Sequence, residues 1–425
     1  MNPHSTLHAG YAKIDITPTE PVMLGGYTLR DEPAAEIHGE DRLFARALVF
    51  EAFGERVAFV AADVICIDGH DVFRAKIAEA TGIPLANILL IEAHNHSSPA
   101  PSATAKTNWD RQFAEGLVKT AVQATAGLQP VRIAAGTGHS RIAMNRRQVK
   151  AADVDSPLTF DENWSSQSFG KYKTDRPILI HEFAGVNRLG ANPQGPIDDA
   201  VQIVRVDTAA GRPLAVMIHY ACHGVSLGGR NGKISGEWMG RMQDYVEKQF
   251  PGLGAIFLQG AAGDVDPRVV GGLDGDVDDI ETTWALGEEI GREVVRVYGQ
   301  LTPEPVANPC FQIETTVIRL PRQYRELFQD FTATAVDAPT TMVRIGDLMW
   351  ATFPGEPFCN IGKKVKAALP AAYAHFMCYT NGLIGYFPEQ KAFAEGGYEV
   401  AVTHLDPVAE PIYLRAVAEM TMRFH

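Results

Sequence analysis

Residues 87–101, NILLIEAHNHSSPAP, pass from an apolar run directly into two histidines one position apart, His94 and His96, then a serine pair and two prolines. A short, continuous apolar run bounded by turn residues predicts a strand buried on both faces, and strands of that kind belong to sheets covered by other layers. The same texture recurs outward along the chain. RVAFVAAD (56–63), VRIAAG (131–136), AVQIVRVD (200–207), PLAVMIHY (213–220), GAIFLQG (254–260), CFQIETTVIRL (310–320) and TMVRIGDLMWATF (341–353) read as strands. Apolar residues spaced by three and four, ended by Gly or Pro, predict helices over 70–82, 108–128, 235–250, 280–301 and 359–370. Alternation of the two predicts an α/β fold, a layered mixed-sheet domain with flanking helices. No linker or internal repeat divides residues 1–425, which are expected to form a single domain. Residues 146–199 carry no clear periodicity and are expected to be a loop-rich insertion able to cover a site.

A net charge of −13, with no Lys/Arg run, excludes broad phosphate-backbone binding and disfavours an anionic membrane surface. The expected partner is a small-molecule substrate, with no nucleic acid and no membrane insertion. The first residues lack a basic segment followed by an apolar one, and no apolar run reaches spanning length, so a cytoplasmic protein is expected. Five cysteines at wide spacing, without CxxC, imply neither a disulfide framework nor a thiolate zinc site, and read as buried thiols.

Open α/β sheets bind ligands beyond the carboxyl ends of their strands, so polar residues that close apolar runs carry the most information. His94 and His96 follow NILLIEA, His223 follows PLAVMIHYAC, and Asp264 and Asp266 follow GAIFLQGAAG; Glu356 follows DLMWATFPG and Tyr386 follows FMCYTNGLIG. Imidazole and carboxylate are ligands that zinc accepts, and a catalytic zinc keeps one position open. Each of these residues taken singly reads equally well as structural. GVSLG (224–228) matches a nucleophile elbow around Ser226, although GRNGKISG follows it where a helix should start. DGDVDD (274–279) is similar to a calcium loop, but Ala285 stands where the bidentate Glu is needed; a solvated acidic turn, or a weakly held Ca2+ or Mg2+, is expected there.

With these strand ends in order, the chain resembles the N-terminal catalytic domain of the neutral/alkaline non-lysosomal ceramidases. AGYAKIDITPTEPVMLGGY (9–27) and IHGEDRLFARALVFE (37–51) resemble that family's opening segments. EAHNHSSPAP resembles its HTHSGPGG, CHGVSL its HGTSM, LQGAAGDVDP its GDVSP stretch and FPGEPF its PGE. NGLIGYFPEQKAFAEGGYEV matches its two tyrosines spaced by twelve.

The resemblance implies one catalytic zinc held by His94, His223, Glu356 and Tyr386, with His96, Arg146 and Tyr398 around the substrate carbonyl. His219 has no counterpart and is expected in the core. Three departures stand out. Asp266 replaces the serine proposed in the family to act at the scissile amide; Ser98 to Pro101 stiffen a glycine-rich loop; and the C-terminal immunoglobulin-like domain and a secretion signal are not expected in this chain.

The expectation is therefore a zinc-dependent, amidase-type hydrolase that cleaves a C–N bond with zinc-activated water on an unidentified substrate, non-lipid or modest-sized. Asp266 is either its general base or a support for a histidine tautomer. The alternatives are a ceramidase or N-acyl-lipid amidase proper, a serine hydrolase using Ser226, and a non-catalytic metal-binding relative.

Overall fold

The computed structural model describes residues 6–27, 30–149, 187–270, 280–306, 309–323 and 333–424. Three strands, β1 (His8–Asp15), β2 (Phe44–Ala52) and β3 (Glu55–Ala62), form an antiparallel meander, and helix α1 (His70–Thr81) crosses over to β4 (Ile88–Glu92), parallel to β3. Helix α2 (Asn108–Ala126) starts at a capping box in which the Thr107 side chain and Asp110 satisfy each other's backbone N–H groups. It leads into β5 (Gln129–His139), then β6 (Ala143–Val149), β7 (Asn187–Asn192), β8 (Ala200–Thr208), β9 (Pro213–Tyr220), α3 (Glu237–Gln249) and β10 (Gly254–Gln259). The main sheet runs in the order β10-β9-β8-β5-β1-β2-β3-β4, with β9/β10 and β3/β4 as its parallel pairs. The predicted mixed sheet is therefore present.

Alternation along the strands decides what covers each face. On one face Val49, Ala58 and Val60 pack against Phe73, Ile77, Phe113 and Leu117 of α1 and α2. On the other, Leu48, Phe50, Phe59 and Met217 meet Val343, Ile345 and Trp350 of a second sheet. That sheet comprises β13 (Phe311–Pro321), β14 (Ala335–Ile345), β15 (Leu348–Thr352) and β17 (Tyr373–Met377), following the short β11 (Val265–Pro267) and β12 (Glu304–Pro305) and interrupted by β16 (Glu356–Pro357). Its far face is closed by α5 (Cys359–Ala368) and the C-terminal helix 409–421 through Val365, Tyr413 and Val417, while α3 and α4 (Ile280–Gln300) cover β9 and β10. The result is helix, sheet, sheet, helix. Each large apolar side chain in these interfaces contributes about 1.5–3 kcal/mol by leaving water.

The edges β4 and β10 are the two ends of an eight-strand order, yet their ends meet. Tyr11 of β1 donates to Ala255 O of β10 (3.0 Å), and Gln259 at the end of β10 donates to Ala93 O just after β4 (3.1 Å). Strand twist curls the sheet until both parallel pairs deliver their carboxyl ends to one place.

The insertion expected over 146–199 is partly strand. β6 pairs with β7 and, on its other side, with β11. Its residues AMNRRQV lack apolar alternation because Arg146 and Arg147 are buried in ion pairs rather than packed on a greasy face. The rest of that cover, 150–186, and the acidic turn 274–279 lie outside the described residues.

His219 sits where the two sheets meet, as expected of a core residue: it is buried, its Nε2 is 2.9 Å from Phe376 O, and its ring lies 5.8 Å from that of His375. Burial, then the Lys366 ammonium, push its pKa down, and burial does the same to His375. A histidine whose folded pKa is depressed leaves stability intact above its unfolded value near 6.5 and removes it as pH falls through that value, because only the unfolded chain takes the proton. The melting temperature is expected to fall as pH drops below about 6.5, with a slope of at most about 1.4 kcal/mol per pH unit per proton, and His219→Gln should flatten it. An unchanged slope in that variant would place the acid sensitivity elsewhere.

Candidate metal and amide-hydrolysis site

His94 lies two residues past β4, held in a left-handed backbone (φ 56°), and His223 three residues past β9. The side chain that brings them together is Gln259. Its Nε2 donates to Ala93 O and Cys222 O (3.1 and 2.9 Å), the carbonyls immediately before each histidine. Tyr379, itself at φ 52°, stacks on the His94 ring at 4.2 Å. Backbone strain of this kind costs roughly 1–3 kcal/mol per residue and persists only where packing imposes it.

The tautomers are set from behind. His94 Nδ1 lies 3.0 Å from Ile65 O, and His223 Nδ1 lies 2.6 Å from Ala262 O, so both Nδ1 atoms carry the proton and both Nε2 lone pairs face inward. There they converge with His96 and Glu356. His96 Nε2 is 3.2 Å from His94 Nε2, Glu356 Oε2 is 3.4 Å from His94 Nε2, and Glu356 Oε2 is 3.2 Å from His223 Nε2. The donors of His94, His96 and His223 all lie within 4.8 Å of one another. Ligands about 2.0–2.1 Å from a tetrahedral zinc stand roughly 3.3–3.4 Å apart, so the observed spacings are those of a coordination shell. Lone pairs facing lone pairs repel unless a cation lies between them. The donor set could therefore hold a divalent metal ion of borderline softness.

Charge states suit that task. Burial, then the neighbouring His94 and His223, hold His96 well below the usual imidazole range; burial, then Arg146, lowers His223. Although burial pushes Glu356 up, His94 and His223 together hold its carboxyl well below the usual carboxylate range. Neutral imidazoles and an ionised carboxylate are the binding forms.

Close backbone approach completes the cradle. A Cβ on Gly26 would meet His96 Nδ1 at 2.2 Å, and one on Gly263 would meet Glu356 O at 2.3 Å. Arg30 ties the loops together, donating to His96 O, to Gly25 O (2.9 Å) and to Gly228 O (2.9 Å).

The remaining expected residues, Tyr386, Arg146, Asp266 and Tyr398, lie beside these donors. Glu356 and Tyr386 are register partners between β16 and β18 (Tyr386–Phe387). Arg146 forks three ways: Nη2 donates to Tyr386 Oη (3.0 Å), Nη1 to Asp266 Oδ1 (3.0 Å) and Nε to Glu399 Oε1 (2.8 Å). Tyr398 is edge-on to Tyr386 at 5.6 Å. Burial, then Glu356, push the Tyr386 phenol well above its usual range, and burial pushes Tyr398 up to about 12, so both are neutral donors. Asp266 Oδ1 is 3.8 Å from His223 Nδ1, beyond a hydrogen bond, with its direct partner in Arg146.

Ser226 is no nucleophile elbow. It is buried, its hydroxyl donates to the Glu237 carboxylate rather than to an imidazole, and α3 starts only at Glu237. His96, expected among groups around the substrate, lies with His94 and His223 in the group that could hold a metal ion. Gln259, Tyr379, Glu399, Arg30 and Glu237 were not singled out from the sequence. Of these only Gln259 left a signal, as the polar residue closing an apolar strand.

Residues 7–284 match the family model described as neutral/alkaline non-lysosomal ceramidase, N-terminal. The chain is 25% identical over 384 residues to neutral ceramidase A of Dictyostelium discoideum, an alignment covering 80% of this chain and 48% of that protein. It is 26% identical over 383 residues to neutral ceramidase B of the same organism, covering 79% and 48%. The chain spans about half the length of the curated relatives it matches. Among solved structures, neutral ceramidase from Pseudomonas aeruginosa superposes with a TM-score of 0.74 at 20% identity, over 99% of this chain and 75% of that one. A ceramidase complexed with C2 gives 0.73 at 19% identity, over 98% and 75%. At these identities the structural matches establish the fold.

Proposed function

Because the chain belongs to the neutral/alkaline non-lysosomal ceramidase family, we propose that it is a metal-dependent amidase that hydrolyses the amide of an N-acylated lipid of the ceramide type, with zinc as the metal this donor set favours. The observation that carries the reading is the 3.2–3.4 Å spacing of His94, His96, His223 and Glu356 donors, all buried. The relatives and structures above are ceramidases, one of them complexed with C2, which moves the substrate away from the non-lipid molecule expected from the stiffened Ser98–Pro101 loop. Among the described residues no helix is long and apolar enough to cross a membrane.

When bound, the metal polarises the amide carbonyl and lowers the pKa of water at its open position to roughly 7. The chain's own groups do the rest. His94, His223 and Glu356 hold the ion, with His96 or Tyr386 as the fourth donor. The Tyr398 phenol, and that of Tyr386 where His96 is the fourth donor, stay protonated through burial and would be available to donate to the oxyanion that develops. Arg146 fixes Tyr386 through Nη2. Asp266 stands where the family's serine would act, but its pairing to Arg146 makes it a positioning residue that stops the guanidinium from turning. With Tyr386 as the fourth donor His96 is left to act as the base beside the site; with His96 as the fourth donor it is not.

Asp266→Asn keeps one acceptor for Arg146 and should lower kcat only about tenfold with metal retained; a loss of about a thousandfold or more at constant metal content would make Asp266 the proton acceptor. The functional test is a panel of short- and long-chain N-acyl sphingoid amides assayed after chelation and after fluorophosphonate. Chelation should abolish hydrolysis, zinc should restore it, and fluorophosphonate should have no effect. Chelator-insensitive turnover with labelled Ser226 would establish the serine hydrolase, and bound metal without turnover on any amide would establish a non-catalytic relative.

A further inference from the structure

We infer that Glu237 is a positioning residue that locks together the two loops carrying the site's histidines and so sets the affinity of the metal cluster. This rests on the metal reading above. Glu237 has 0% exposure, and its backbone is left-handed at φ 57°, a conformation a non-glycine residue keeps only under constraint.

What the constraint achieves is visible in the side chain. Oε1 accepts from Ser97 Oγ (3.1 Å) and Leu227 N (3.0 Å); Oε2 accepts from Ser226 N (3.1 Å) and from the Ser226 hydroxyl. Ser97 directly follows His96, and Ser226 lies three residues past His223. One buried carboxylate therefore receives donors from both histidine loops.

The loops' backbones pair where His96 N donates to Gly224 O (2.9 Å) and Asn95 bridges to Gly224. Ser97 is also fixed from outside. Asn231 Nδ2 donates to its hydroxyl (3.0 Å), and Ser235 N donates to its carbonyl (3.0 Å). Ser235 Oγ in turn accepts from Glu237 N (2.9 Å). Every atom of this lattice is polar and buried, where losing one acceptor leaves its donors without partners.

The negative charge is favoured by the first turn of α3, a 13-residue helix whose N-terminus it occupies. A carboxylate is the only side-chain group of this length that accepts from both loops with both oxygens. Glutamine would turn one of those oxygens into an N–H facing donors.

The experiment is zinc affinity by chelator competition, together with the melting temperature of the metal-free protein, for wild type, Glu237→Gln and Ser97→Ala. The expected result is zinc bound about 10–100-fold more weakly in Glu237→Gln and about tenfold more weakly in Ser97→Ala, because partners that orient metal-binding groups carry effects of that size. Metal-free melting should stay cooperative in both. Ser97→Ala leaves the carboxylate seated and cuts its link to the His96 loop, while Asn231 Nδ2, which loses the Ser97 hydroxyl, keeps Lys233 O as an acceptor (2.8 Å), so the variant answers even if Glu237→Gln does not fold. Zinc affinity within twofold of wild type in Ser97→Ala, and in Glu237→Gln where it folds, with lowered melting alone, would overturn the inference and leave Glu237 a support of the fold. Wild type without zinc affinity would instead sink the metal reading on which it rests.

Discussion

His223→Gln is expected to purify with far less than one equivalent of metal and to hydrolyse amides at least about a thousandfold more slowly, a loss of about 4 kcal/mol in barrier terms. The size follows from the geometry. His223 has no exposed surface, its Nδ1–H is committed to Ala262 O at 2.6 Å, and its Nε2 stands 3.2 Å from Glu356 Oε2. A glutamine cannot point one lone pair inward while donating to the same carbonyl behind. The cluster then keeps two imidazoles whose third corner is missing. His219→Gln serves as the comparison. That residue lies four positions earlier, within β9, faces the second sheet, and should keep metal and turnover. Metal content and kcat/KM measured on both variants separate loss of a ligand from loss of a buried histidine in general.

Arg146→Met should act on stability and rate together. Arg146 reaches Asp266, Tyr386 and Glu399, and the Glu399 side chain is 1% exposed. Removing one partner of a buried ion pair leaves an uncompensated charge, which costs about 3–5 kcal/mol. Arg147 still donates to Glu399 Oε2 at 3.0 Å, which places the loss toward the lower end. Tyr386 also loses the donor that fixes its hydroxyl, and removing donors to a developing oxyanion lowers kcat by about 10²–10³. Adding Glu399→Gln to Arg146→Met removes the orphaned charge. Denaturant unfolding should then recover part of the stability while kcat stays low. Recovery of both together would mean that Arg146 serves the fold alone.

The strands and helices were legible because burial on a pleat or a helix face imposes a period. The runs 87–93, 213–220 and 254–260 became β4, β9 and β10, and the helix expected over 108–128 is α2. The polar residues closing those runs were legible as candidates for the same reason, since a residue that ends a buried strand without continuing its pattern is doing something else. Their convergence was not. β4 and β10 lie at opposite edges of the sheet, and only its twist, locked by Tyr11 and Gln259, brings His94 next to His223. Nor could periodicity find β6, whose buried arginines are satisfied by Asp266 and by Glu399, more than a hundred residues away. Glu237 fell inside the helix expected over 235–250 and carried no other signal, because what it binds is set by loop geometry. Ser226 shows the converse: GVSLG matched a motif, and its neighbours in space belong to a different chemistry.

Crystals measured on both sides of the zinc absorption edge would decide the matter most directly. The expected map has one strong anomalous peak about 2.0–2.1 Å from His94 Nε2, His223 Nε2 and a Glu356 oxygen, with His96 Nε2 or Tyr386 Oη closing the shell. A map with no peak among those side chains from zinc-supplemented protein, or coordinates in which they stand apart, would contradict the metal site and the amidase built on it.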